Sequence, residues 1–390
     1  MILFVTICFS AIIFACIAGL QNGRWDKIVY LSFFLIWVLL AFQNDCGLDI
    51  ENYRTYFEKW SGNYTPHLNG LRLSDTRIEY GWYLFNRFFC YLGGFRFFLS
   101  LLMLFVVFVL GSLIRKNVPS QYYWFSISVF VFNSYYLLFF SSAIRQATCV
   151  IISLLVFNIL FSEKEMRYKW PLIIALSIIS FSFHQSSIVS LPIYLLVYIY
   201  NRQINYKLLI YTSLTLYIVI AILPVEQIID QINLIVAESG IHKYENKIIG
   251  INIYSFAHNV YYFILLFLVL DSLRFYDIQS RKNDNSQVVI TDLVTISVDR
   301  AFRAMFLLVA FSVLSEQFFR FGGAAHRIIH YFDIFGIVVY PLIILRYKKD
   351  NIWMPIIVAS LLLFRFISTY WDFLSNYQGV KYLNFIISFD

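Results

Sequence analysis

Long apolar runs separated by short polar breaks dominate the chain. They cover 1–21, 27–43, 95–114, 121–138, 143–161, 170–184, 186–200, 206–224, 255–273, 302–319, 330–346 and 351–369. The runs are continuous and do not alternate, which is the signature of helices rather than barrel strands. Their lengths approach the roughly 20 residues that a helix needs to cross a hydrocarbon core about 30 Å thick. The pattern predicts an all-α polytopic integral membrane protein with about twelve transmembrane helices (roughly 11–13). A weaker run, 80–93, holds Asn86 and Arg87. Counting it as a full span breaks the alternation of loops across the membrane, so it reads as a short re-entrant or interfacial helix.

Composition agrees with this reading. Of 390 residues, 60% are hydrophobic and only 14% are charged, against about 45–50% and about 25% in soluble domains. The net charge of +7 would suggest a nucleic-acid partner in a soluble protein. Here the basic loops of a membrane protein account for it, and no nucleic acid is expected. The loops "NGRWDK", "RKNVPSQ", "SEKEMRYK", "NRQINYK" and "RYKKD", with the longer loop 274–300, all fall on one side. The excess of lysine and arginine makes that side cytoplasmic. The loops 44–79 and 225–254 then lie outside, as do both termini. The chain reads as a single transmembrane domain, 1–390, with a polar linker at 275–299 and no internal repeat. The first run lacks a basic leading segment and a small-residue cleavage site, so it reads as an uncleaved span. The five cysteines (Cys8, Cys16, Cys46, Cys90, Cys149) show no metal spacing. Cys46 and Cys90 can meet outside the membrane, but free apolar cysteines are the simpler reading.

The candidate chemistry lies at the outer ends of the spans. Arg145 and Gln146 interrupt "FFSSAIRQATCVIISLLVF"; His184 and Gln185 sit in "SFSFHQSSIVSLP"; Arg320, His326, Arg327 and His330 sit in "FFRFGGAAHRIIHYFD". The first outside loop adds Asp45, Asp49 and Glu51, and Glu79 closes it. Charges at membrane depth are costly and usually face a bundle interior or a cavity. For Arg145 two readings stand: a side chain reaching back to headgroups, or a clamp for diphosphate or carboxylate, which its planar fork suits. His184 is either a satisfied turn residue or a base or sugar ligand. His326 and His330 have i, i+4 spacing but no glutamate between them, so neither a metal nor a cofactor is expected. "DIENYRTYFEKW" reads as a short helix whose Tyr53, Tyr56, Phe57 and Trp60 either pack on the bundle or stack on sugar rings. In 225–254, "VEQIIDQINLIVAESG" reads as an amphipathic surface helix ending near Gly240.

Four stretches in this order, "GLDIENYRTYF", "IEYGWYLFNRFF", "SSAIRQATCVIISLLVF" and "FSFHQSSIVSLPIYL", resemble the EpsG-type bacterial polysaccharide polymerases, relatives of the Wzy O-antigen polymerases. The resemblance covers roughly 30–350. It implies a membrane glycosyltransferase of the bacterial inner membrane, with its active site facing the periplasm. Such a protein joins repeat units carried on undecaprenyl diphosphate into O-antigen or a related polysaccharide. Its partners are those lipid-linked glycans, the bilayer and, in such systems, a Wzz-like chain-length regulator. The absence of a glycine-rich nucleotide loop agrees with a donor that is not a nucleotide sugar. Charge growing on the departing diphosphate points to Arg145 there, with Arg320 or Arg327 assisting and Gln146 and His326 as further substrate contacts. Asp49 is the first candidate base, with His184 and Glu79 as rivals. Asp45, Tyr53 and Tyr80 would contact glycan. A flippase for the same lipid-linked sugars and an O-antigen ligase are the alternatives. A flippase must present its cations to both sides, whereas these residues gather on one.

Overall fold

The computed structural model describes residues 2–20, 25–43, 49–62, 64–74, 78–162, 166–200, 205–222, 253–282, 288–291, 294–319 and 323–348, with single positions 353, 356 and 360. Asp45, Arg320, the surface helix expected near 225–240 and most of the run 351–369 lie outside these residues, as do the side chains of His326 and Arg327. The described chain is all-α apart from two small hairpins. It divides into two compact units, Met1–Pro192 with Asn351–Asp390, and Ile193–Asp350.

The first unit begins with α1 (Ile2–Ala18) and α2 (Val29–Ala41). Cys8, Ala11, Ala15 and Ala18 form the buried stripe of α1. Small side chains let backbones approach closely, and the Ser32 hydroxyl of α2 donates to the Ala11 carbonyl (2.7 Å). α5 (Phe95–Asn117) runs beside α2, and the Trp37 indole donates to the Ser100 carbonyl (2.9 Å). Polar contacts hold both ends of this pair. Arg96 donates to the Gln43 carbonyl at one end, and Arg115 pairs with Asp26 (3.1 Å) at the other. At 23 residues α5 is about 34 Å long. Among the described residues it is the helix long and apolar enough to cross a membrane. Shorter apolar helices include α8 (Ile144–Leu160), α9 (Lys169–Phe183), α10 (Ser190–Tyr200) and α11 (Tyr206–Ile222).

The loop before α5 folds onto this frame. α3 (Ile50–Ser61) buries Ile50, Tyr53, Phe57 and Trp60, one stripe at helical spacing. Its aromatic face therefore serves packing: Phe57 stacks on Phe98 of α5, and the half-buried Tyr56 stacks on Trp60. A hairpin follows, β1 (Leu68–Asn69) with β2 (Arg72–Leu73), turning at Gly70, whose φ of +63° suits glycine at the first central position of a primed turn. α4 (Tyr80–Leu92) buries Trp82, Tyr83 and Asn86 and exposes Leu84, Phe88, Tyr91 and Leu92. Its 13 residues span about 20 Å. Arg87, the charge in this weak run, donates to the Trp60 and Gly62 carbonyls at the end of α3. Arg87→Met should cost about 1.5–3 kcal/mol, the range for hydrogen bonds to a charged group, read as a lower unfolding midpoint in detergent. An unchanged midpoint would mean that α3 is held by its buried stripe alone.

The run 121–138 is not one helix. α6 (Tyr123–Phe132) stops at the buried Asn133, whose extended backbone offers its carbonyl to the N–H groups of Tyr136 and Leu137 and starts α7 (Ser134–Ser142). α8 is the centre of the unit, with 13 of its 17 residues buried, so it meets protein on every side. The Cys149 thiol donates to the Ser180 carbonyl (3.2 Å), and the Ser180 hydroxyl returns a bond to Cys149 (3.4 Å), fastening α8 to α9.

The second unit holds most of α10, α11, and then α12 (Ile253–Lys282), α13 (Arg300–Phe319), α14 (Gly323–Asp333) and α15 (Gly336–Lys348). The run 330–346 is broken as well, by a turn at 334–335 between α14 and α15. The linker expected at 275–299 is partly regular. α12 continues to Lys282, and β3 (Val288–Thr291) pairs with β4 (Val294–Ser297). The buried Asp277 of α12 takes a bond from Arg303 (3.0 Å), and Arg300 donates to the Tyr198 carbonyl (3.0 Å) while lying over its ring. Helices and spans thus do not correspond one to one, because single buried polar residues and turns divide apolar runs.

Candidate active site

Glu79 is the N-cap residue of α4. Its backbone is extended (φ −64°, ψ 140°) and its carbonyl accepts the Tyr83 N–H (3.2 Å). A carboxylate at this position ordinarily caps its own helix. This one does not; it turns inward, 3% exposed, and pairs with Arg145. Arg145 stands in the first turn of α8 with its side chain 16% exposed. The pair is therefore buried. Losing one partner of such a pair costs about 3–5 kcal/mol, because the other charge stays behind without compensation.

Further groups complete the cluster. The second Glu79 oxygen, Oε1, accepts the Gln185 backbone N–H (3.3 Å) and lies 3.6 Å from Arg72 Nη2. Arg72 itself donates to Gln185 Oε1 (2.7 Å). The Tyr53 phenol of α3 lies within electrostatic reach of the Arg145 guanidinium, while Arg145 Nε is buried and meets no acceptor among the described residues. Two guanidinium groups thus flank one carboxylate, leaving a single net positive charge. Exposed ion pairs such as that of Arg72 (45% exposed) contribute only about 0–1 kcal/mol, so Arg145 is the firm partner and Arg72 the loose one.

Local structure explains why these segments meet. Leu73 N–H donates to Ile78 O (2.7 Å) and Tyr80 N–H to Leu71 O (2.9 Å), so the hairpin is laced to the start of α4. Gly81 then lies against the end of α9. A Cβ there would run into the Ser182 side chain and carbonyl, so only glycine lets the two helices touch. At the end of α9, His184 leaves the helix in an extended conformation. Its Nδ1 accepts the Ser186 N–H (3.3 Å) and lies 2.8 Å from the Ser186 hydroxyl. In the neutral ring the proton is then on Nε2, which makes that nitrogen a donor.

Of the residues expected from sequence, Glu79, Arg145 and Tyr53 join in one contact network. His184 neighbours Gln185 in the chain. Gln146 is buried next to Arg145 in α8, and Tyr80 opens α4, half-buried and stacked on Tyr83. Asp49 precedes α3 by one residue. It is half-buried, makes no side-chain cap, and offers its carbonyl to the Tyr53 N–H (2.9 Å), one turn from the cluster. His326 and Arg327 lie on α14 in the second unit. Arg72 and the backbone of Gln185 were not singled out by sequence. The signal for Arg72 was the Asn69–Gly70 pair, which marks a hairpin that returns Arg72 toward Glu79.

Apolar helices, one of them long enough to cross a membrane, and a buried charged cluster at helix ends are the features of a helical membrane protein. The EpsG family model matches residues 26–385, and the chain belongs to the EpsG family. Membership brings a polysaccharide-polymerase-like role in a membrane. No curated protein and no solved structure matches the chain.

Proposed function

We propose that the chain polymerises oligosaccharide repeat units carried on undecaprenyl diphosphate, in the bacterial inner membrane, with about twelve spans and the Glu79–Arg145 cluster facing the periplasm. The observation that carries this reading is the cluster itself. It is a buried carboxylate between two arginines, gathered from the first loop and the ends of α8 and α9. In the reaction an acceptor sugar hydroxyl attacks the anomeric carbon of the growing chain. A glycosidic C–O bond forms, the anomeric C–O bond to the diphosphate breaks, and the diphosphate leaves with the electron pair. Negative charge grows on the leaving group, where preorganised cations act most strongly. Arg145 supplies one, its orientation set by Glu79.

The hydroxyl proton needs an acceptor. Glu79 is ill suited, because both its oxygens already serve Arg145, Arg72 and Gln185. His184 holds its lone pair toward Ser186. Asp49, half-buried with no capping bond, is the base in this reading. The apolar cavity of about 260 Å³ between α2 and α5, lined by Phe33, Phe34, Trp37, Leu104 and Phe108 among others, suits part of a polyprenyl chain.

The test is the surface polysaccharide of cells lacking the chain. Loss of the polymer ladder with retention of a single repeat unit is expected, reversed by the wild-type gene. Loss of every repeat unit would favour a flippase or a ligase, and an unchanged ladder would remove the polymerase reading.

A further inference from the structure

We propose that Arg72 is the cation that meets the substrate's diphosphate directly, releasing Gln185 to do so; this rests on the polymerase reading. Glu79 and Arg145 cancel each other's charge, so the net positive charge of the cluster is that of Arg72. The two arginines also differ in freedom. Arg145 is buried and committed to Glu79 Oε2. Arg72 is 45% exposed, bonded to the neutral Gln185 Oε1 at 2.7 Å, and 3.6 Å from Glu79 Oε1. Its backbone is fixed: Arg72 forms a β-bridge with Glu79, and the neighbouring Leu71 and Leu73 bond to Tyr80 and Ile78. The guanidinium therefore swings from a base anchored to the segment that carries the carboxylate.

A diphosphate offers what Gln185 does not, namely charged oxygens paired in a geometry that a guanidinium fork matches with two parallel bonds. Exchange of an amide oxygen for phosphate oxygens needs no proton transfer, since arginine stays protonated. Gln185 acts as a resting partner that keeps the fork pointed at the site. A phosphate monoester presents less charge, so Arg72 also favours diphosphate over monophosphate.

The experiment uses the purified full chain in lipid nanodiscs, with farnesyl diphosphate and farnesyl monophosphate as probes. Arg72→Gln keeps a donor for Gln185 but removes the charge. It is expected to weaken farnesyl diphosphate binding about tenfold, the scale of one charge-assisted hydrogen bond. Binding of the monophosphate should fall less, the unfolding midpoint should stay at the wild-type value, and the cellular ladder should shorten. Arg72→Lys should recover part of the binding. If Arg72→Gln binds farnesyl diphosphate as wild type does, the role of Arg72 is overturned while the polymerase reading stands on the deletion phenotype. If the wild-type chain binds neither probe and its deletion leaves the ladder intact, the polymerase reading itself falls and takes this proposal with it.

Discussion

Cells carrying Arg145→Ala should lose polymer altogether, and the purified variant should be less stable by about 3–5 kcal/mol. The reason lies in what is left behind. Glu79 is 3% exposed, and its remaining contacts are one backbone N–H and a partly solvated arginine. A carboxylate so placed depends on the Arg145 charge to offset the cost of its burial. Stability and catalysis then have to be separated, because an unfolded enzyme also makes no polymer. The double variant Glu79→Gln with Arg145→Gln removes both charges and keeps hydrogen-bonding groups of similar shape. Neutral replacement of a buried pair is often close to neutral for stability, so the midpoint should recover most of the loss. Polymer should not recover, because the buried Arg145 charge is gone and Arg72 alone faces the leaving diphosphate. A double variant that polymerises normally would reduce the pair to a lock between α4 and α8.

The second large effect is expected from a single methyl group. Gly81→Ala places a Cβ against the Ser182 side chain and carbonyl, at separations that real Cβ atoms do not show. Overpacking of this kind costs about 1–3 kcal/mol, and a backbone carbonyl cannot turn aside as a flexible side chain can. The start of α4 must lift from α9. Glu79 is two residues away, and its 3.3 Å bond to the Gln185 N–H spans this same junction. We expect polymer to drop at least tenfold for a stability loss of only about 1–3 kcal/mol. Ser182→Gly in addition removes the side-chain clash but not the carbonyl, so rescue should be partial. Full activity in Gly81→Ala would show that the junction can widen without disturbing Glu79.

Much of this was readable from the chain. α5 and α8 announce themselves by unbroken apolar length, and Arg145 stands out because an ionised group in such a run must be answered by another. The short helix 80–93 was also legible as a helix: Arg87 and Asn86 set it apart from the longer apolar runs, and it forms α4. What escaped was whatever depends on a partner distant in sequence. Arg72 sits in a polar loop, where an arginine is ordinary. Gln185 acts through its backbone N–H as well as its side chain, and a main-chain donor has no sequence signature. Asn133 ends a helix between two apolar stretches that look like one, since one polar residue within an apolar run need not break it. Gly81 belonged to a recognisable Glu-Tyr-Gly stretch, yet its reason is the surface of α9 against it.

The spacing of the cluster along the chain also governs its birth. Arg145 follows Glu79 by 66 residues and Gln185 follows it by 106. A ribosome therefore delivers the carboxylate well before either partner exists, and the first loop must keep it hydrated until α8 and α9 arrive. Closure of the cluster is a late event of biogenesis, and an interrupted chain that ends before α8 carries the acid with only Arg72 beside it.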